Sequence, residues 1–257
     1  MAGADLRAVY EAGDEDGRML SERNRVEWER TCELLLRWLP DPPARLLDVG
    51  GASGRYAEWL EELGHRVEVV DLVPWHVEQA RARGLRAEVG DARELPQPDG
   101  SMDAVLLLGP LYHLPEAPGR LQALAEARRV CRPGGVVVAA AMSRWAKPAV
   151  RAARGELADP EIQRHLDAVL RHGHDDRGNE FDLVSYNHDP EELRGELSAA
   201  GLTDVVVAGI EGPLGAAARE DTTLNDLALR TARIAEHAAP HLSIHLLAGA
   251  RTPTQPR

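Results

Sequence analysis

Leu46-Leu47-Asp48-Val49-Gly50-Gly51-Ala52-Ser53-Gly54 reads as a short apolar strand that runs straight into a glycine-rich turn, with a helix opening at Arg55. Glycines in such a turn permit positive φ and bring the backbone close to a ligand, and free N–H groups at a helix start attract a carboxylate or phosphate. Dinucleotide-binding proteins share that much. Asp48 separates the readings, because an acid two residues before the first glycine would repel a pyrophosphate and attract a cationic ligand.

Outward from this turn, short apolar runs alternate with amphipathic stretches. Strands are expected at 46–49, 67–71, 86–89, 104–108, 136–141, 204–210 and 242–248, with helices at 55–63, 74–83, 120–130, 190–200 and 225–237. A two-residue period alternating with a 3.6-residue one is what a parallel sheet with crossover helices requires. The expected fold is therefore α/β: a Rossmann-like, doubly wound, mostly parallel seven-stranded sheet with helices on both faces. Residues 5–39 read as helical until Pro40, Pro42 and Pro43 stop the pattern, giving an N-terminal helical extension or lid over 1–44. The main domain is expected over 45–250. Residues 143–188, rich in Arg, Asp and His, break the rhythm as an inserted cap, and 251–257 read as a frayed tail.

The 257 residues carry 30 Lys plus Arg against 42 Asp plus Glu, a net charge of -12. So acidic a surface repels phosphate backbones and anionic lipid, which argues against nucleic acid and membrane partners. No apolar run approaches a membrane span, and Asp5, Glu11, Asp14, Glu15 and Asp16 do not resemble a signal peptide, so a cytoplasmic location is expected. Cys32 and Cys131 lie outside any metal-binding spacing and read as reduced core thiols. One domain with insertions is expected, as a monomer or homodimer.

Two further acids follow predicted strands. Asp71 ends the second, where a carboxylate can accept hydrogen bonds from ribose hydroxyls, and Asp91 in Val89-Gly90-Asp91-Ala92 follows the third, where an adenine amine is a natural donor. Together with Asp103-Ala104-Val105 and Arg132-Pro133-Gly134-Gly135, these segments resemble the ordered motifs of class I S-adenosylmethionine (SAM) dependent methyltransferases, strongly over 45–141. The resemblance implies that Gly50, Gly51 and Gly54, with Asp48 beside them, hold the methionine end of SAM. It gives the ribose to Asp71 and Leu72, the adenine to Asp91 and Ala92, and further cofactor contacts to Leu108 and Gly109. The family usually has a third glycine where this chain has Ala52, so φ at Ala52 is expected to be negative.

Ligands of an open α/β sheet gather beyond the carboxyl ends of its strands, which nominates the residues after each strand for the methyl acceptor. After the fourth come Tyr112 and His113: either could shape the pocket, and His113 is a candidate general base. The competing reading packs Tyr112 under the cap and makes His113 a helix-start residue. Tyr186 and His188 should return the cap to the same edge, His188 as a further catalytic candidate, with Asp189 capping the next helix. Glu211 faces the pocket if the sixth strand is parallel. Tyr10 and Trp28 are candidate lid contacts. No metal is expected, since the loop after the fourth strand lacks an acidic pair and His172-Gly173-His174-Asp175-Asp176 reads as a solvated loop. The expected reaction is in-line methyl transfer to oxygen or nitrogen of a small metabolite, such as one from a bacterial secondary pathway, with S-adenosylhomocysteine (SAH) as the other product. A non-catalytic SAM-binding protein and an NAD-dependent oxidoreductase are the alternatives.

Overall fold

The computed structural model describes residues 17–18, 21–175 and 184–254. A single 3-10 turn at Glu22–Asn24 leads into α1 (Arg25–Trp38), which buries Val26, Leu34 and Leu35 and ends ahead of Pro40. The next elements are β1 (Arg45–Val49), α2 (Arg55–Glu62), β2 (Arg66–Asp71), α3 (Pro74–Ala82), β3 (Arg86–Val89), β4 (Met102–Leu107), α4 (Ala117–Val130) and β5 (Cys131–Ser143). The inserted region holds α5 (Ala146–Ala153), α6 (Pro160–His172), β6 (His174–Asp175) and β7 (Ser185–His188). The chain then forms α7 (Pro190–Ala199), β8 (Thr203–Gly209), α8 (Gly215–Glu220), α9 (Asn225–Ala235) and β9 (His245–Arg251).

Strands β3-β2-β1-β4-β5 lie side by side and parallel. β9 pairs antiparallel with β5 on one side and with β8 on the other, so β8 points the same way as β1 to β5. Those seven strands form the sheet the alternation implied, and the insertion adds two more. β7 runs parallel to the end of β5 through Met142↔Asn187 and Ser143↔His188, and β6 pairs with β7. Both sheet faces are covered, as near-continuous apolar strands require. Leu47, Val49, Val105 and Val137 face α4 and α7, whereas Leu46, Ala104, Leu106 and Val138 face α1, α2 and α3. Each such leucine or valine withdrawn from water contributes about 1.5–3 kcal/mol. The same alternation places Asp48 on the Leu46 side.

Four expectations are corrected. The segment Arg132-Pro133-Gly134-Gly135 lies inside β5 beside a register shift against β4, with Gly134 at φ +72, and is not a turn ahead of the strand. The last strand sits at His245–Arg251, because Leu242 is taken up by a 3-10 turn. The tail is anchored further than expected: Arg251 completes β9, and Thr252 is buried, donating its N–H to Gly135 O at 3.1 Å. Asp175 is fully buried against Lys147 and His165 Nε2, 3.0 Å from the latter, so that part of the His172 to Asp175 segment is not solvated; Asp176 lies outside the described residues. Asp189 caps α7 as expected, accepting from Glu191 N–H. Among the described residues, no helix is long and apolar enough to cross a membrane.

Candidate cofactor and acceptor site

The turn after β1 is pinned to the sheet by Gly50 N–H donating to Val70 O at 2.7 Å. Gly50 has φ +70, and a Cβ there would meet Pro110 at 2.8 Å; a Cβ on Gly51 would meet Asp48 Oδ2 at 2.5 Å. Only glycines let this backbone lie so close to both. Gly54, at φ +84, caps the start of α2. Ala52 contradicts the expected negative φ, taking φ +48. A left-handed alanine costs about 1–2 kcal/mol. Its N–H donates to Asp71 Oδ2 at 2.9 Å, which helps to offset that cost.

Asp71 thus does more than end β2. Its Oδ1 accepts from Val73 N–H at 2.8 Å and lies 3.2 Å from His76 Nδ1, so the carboxylate ties both connecting turns together. Asp48 is its opposite: fully buried, with neither carboxylate oxygen hydrogen-bonded among the described residues. Burial first, and the Asp71 charge second, push its carboxyl up to about 7.

Two adjoining cavities open at the carboxyl edge of the sheet. The first, about 260 Å³, is lined by Asp48, Gly50, Gly51, Leu108 and Gly109, and on its far side by Met142, Lys147 and His245. The second, about 310 Å³, is lined by Asp71, Leu72, Asp91, Ala92 and His113. Gly50, Ala52, Gly109 and Tyr112 belong to both, so Tyr112 stands on the partition. Asp91 pairs with Arg93 at 2.6 Å, and that hydrogen bond holds its carboxyl below the usual range.

The acceptor candidates are dispersed. His113 sits in the 3-10 turn Pro110–His113 and lines the second cavity but not the first. Burial, partly opposed by the Asp71 charge, pushes its imidazole down to about 4. Tyr186 and His188 are buried and line neither cavity: the Tyr186 ring lies under the Arg120 guanidinium at 3.6 Å, and His188 Nε2 is 3.2 Å from Glu196. They fasten β7 to α4 and α7. Trp28 stacks on Tyr56 with centroids 4.7 Å apart, and Tyr10 lies outside the described residues. The N-terminal region instead supplies Arg18, Arg23, Glu27 and Thr31 to the first cavity.

Glu211 follows β8, whose direction brings it to the expected edge, yet it is buried behind His245. Its Oε2 accepts from His245 N–H at 2.9 Å and its Oε1 lies 2.5 Å from His245 Nδ1. His245 carried no sequence signal, being one polar residue in an apolar strand. Burial works against its charge, but Glu211 and Glu27 hold its imidazole above the ordinary value. Against the cost of burial, His245, Arg18 and Arg219 hold the Glu27 carboxyl at about 2. Ligand atoms of Glu27, Glu211 and His245 fall within 4.8 Å of one another, a set of types that metals accept. Here Arg219 bonds Glu27 at 2.5 Å, and the group is a salt-linked network.

The residues fit an adenosine-bearing cation: an unsatisfied buried carboxylate in one cavity, a cradle that any Cβ would fill, and acids along the adjoining cavity. Residues 47–139 match the family model described as a methyltransferase domain. Over that stretch the chain is similar to methyltransferase domains. The chain is 31% identical over 131 residues to the malonyl-[acyl-carrier protein] O-methyltransferase of Serratia marcescens, covering 50% of this chain and 49% of that protein. It is 38% identical over 108 residues to the demethylmenaquinone methyltransferase of Deinococcus radiodurans, covering 39% and 44%. The chain thus spans about half the length of the curated relatives it matches. Among solved structures, a SAM-dependent methyltransferase of Thermotoga maritima superposes with a TM-score of 0.64 at 16% identity, over 96% of this chain and 99% of that one, a likeness of fold.

Proposed function

We propose that this chain transfers a methyl group from SAM to oxygen or nitrogen of a small metabolite. The observation that carries the reading is Asp48, a buried carboxylate with no protein partner among the described residues that lines the cavity next to the glycine turn. An unpaired buried charge costs several kcal/mol, and a ligand cation removes that cost where a dinucleotide pyrophosphate would deepen it. SAM supplies an activated methyl on a sulfonium, displaced in line by the acceptor. Gly50 and Gly51 admit its methionine end beside Asp48, Asp71 retains lone pairs for ribose hydroxyls, and Asp91 with Ala92 meets the adenine. The relative named as an O-methyltransferase favours oxygen as the receiving atom.

His245, in place of His113, is the group positioned to take a proton from the acceptor, with Glu211 fixing its ring through Nδ1. Because its pKa is raised, its proton leaves only above the ordinary histidine range, so turnover should rise as pH climbs through and beyond neutrality. His245→Gln should flatten that rise and slow turnover about 100-fold, while His113→Ala should slow it less than about tenfold. A larger loss on His113→Ala than on His245→Gln in a pH–rate series would return the base to His113.

Calorimetry on the full chain with SAM, SAH and NAD, followed by labelled methyl transfer to a metabolite panel, tests the proposal. Binding of SAM and SAH but not NAD is expected; NAD binding without SAM overturns the reading. Asp71→Ala should weaken SAM by about 1–3 kcal/mol, through lost charge-assisted bonds, and should lower thermal stability because Ala52 loses its acceptor. Unchanged affinity would remove Asp71 from the ribose site.

A further inference from the structure

We infer that the methyl acceptor carries an oxyanion, a carboxylate or phosphate, bound by the cationic wall of the first cavity; this rests on the methyl-transfer reading above. That wall gathers Arg18 and Arg23 from the N-terminal region, Lys147, Arg151 and Arg154 from α5 and its C-terminal end, and Arg219 from α8. The chain carries a net charge of -12, so six basic residues converging on one cavity run against the charge of the molecule as a whole. Lys147, Arg151 and Arg154 recur at the spacing of one helical face, with Val150 between them on the same wall.

The carboxylate of SAM does not account for this concentration. The glycine turn follows β1, α5 follows β5, and β4 lies between them, so two inter-strand spacings, about 10 Å, separate the two ends of the cavity. The ion pairs made by these cations divide them further. Lys147 is held by buried Asp175 and Arg219 by Glu27. Arg23 and Arg154, however, share the single carboxylate of Glu220, at 3.1 and 2.9 Å, and Arg151 pairs with Glu156 at 2.5 Å. All three guanidiniums are about a third or more exposed, where an ion pair is worth only about 0–1 kcal/mol. Exchanging those pairs for a ligand oxyanion therefore costs little, and a guanidinium can grip such a group with two parallel hydrogen bonds. Met142, Ala146, Val150 and Ile244 pack beside them, an apolar surface for the body of the same molecule. The acceptor is thus an apolar compound with an anionic head set on Arg23, Arg151 and Arg154.

The test uses the full chain saturated with SAH and four probes of matched size: benzoate, phenyl phosphate, benzyl alcohol and benzylammonium, titrated by calorimetry. At least one anionic probe should bind tenfold or more tightly than the neutral and cationic ones, and benzoate against phenyl phosphate tells which head group is taken. In the Arg151→Glu/Arg154→Glu variant that preference should vanish, as it should in part in Arg151→Gln, with SAH binding as the check that each variant is folded. Neutral or cationic probes binding as well as the anions, or an anion preference that survives the double substitution, would overturn the inference. Failure of SAH itself to bind would instead sink the methyl-transfer reading.

Discussion

Asp48→Asn should raise the stability of the ligand-free protein at pH 8 and, in the same variant, weaken SAM binding. The Asp48 carboxyl titrates at about 7 in the fold, against an ordinary value near 3.9. Between those values the folded chain holds a proton that the unfolded chain has released, so stability falls as pH rises through that window. Above pH 7 the whole cost is present, at most about 4 kcal/mol. Asparagine has no charge to bury but leaves an amide unsatisfied, at about 1–3 kcal/mol, so a net gain of about 1–3 kcal/mol is expected at pH 8 and little or none at pH 4. Thermal melts of both proteins across that range check the sign, and a difference that does not grow with pH would mean that Asp48 is solvated. SAM affinity should fall about tenfold or more, because its ammonium loses an ionic partner. In the unsubstituted protein at pH 6, SAM binding should expel a proton, visible as a buffer-dependent heat.

Arg120→Met should cost about 3–5 kcal/mol, the range for removing one member of a buried ion pair. Arg120 is 2% exposed; it bonds Glu196 twice from Nε and at 2.7 Å from Nη2, donates to Leu114 O and Pro115 O at 3.0 and 2.7 Å, and lies over the Tyr186 ring. One guanidinium therefore joins α4, α7, β7 and the loop leading away from Tyr112 and His113. Methionine restores much of the volume and none of the hydrogen bonds. Urea denaturation should show the loss, and SAM should bind more weakly because Leu114 and Pro115 line the second cavity. Pairing the change with Glu196→Gln should give far less than the sum of the two single effects, since both remove the same contact. Additivity, or a loss below about 1 kcal/mol, would argue against this role.

The cofactor side was readable because its parts are local. A strand, a glycine turn and a helix follow one another in sequence, so Asp48, Asp71 and Asp91 could be nominated from their places at strand ends and Gly50 and Gly51 from the family resemblance, and the structure sets them along two neighbouring cavities. The proposed acceptor side is built from distant pieces. Tyr186 and His188 do come back to the end of β5, but Arg120, far away in sequence, and Glu196, in the helix that follows, claim them. His245 enters the site only because β9 runs antiparallel between β5 and β8, a pairing that no local period encodes. The left-handed φ of Ala52 depends likewise on a carboxylate from another strand. The basic face of α5, the proposed anion-binding wall, has a helical signature but lies in a stretch read as cap.

Two ladder positions join β7 to β5. Backbone hydrogen bonding there makes β7 continuous with the sheet. On the rim of the first cavity, Arg23 is latched to α8 through Glu220, the carboxylate that also holds Arg154 of the inserted region, and Arg18 reaches Glu27 at 3.7 Å. Those latches are ionic and salt-sensitive, so ionic strength should govern how quickly the protein loads and empties.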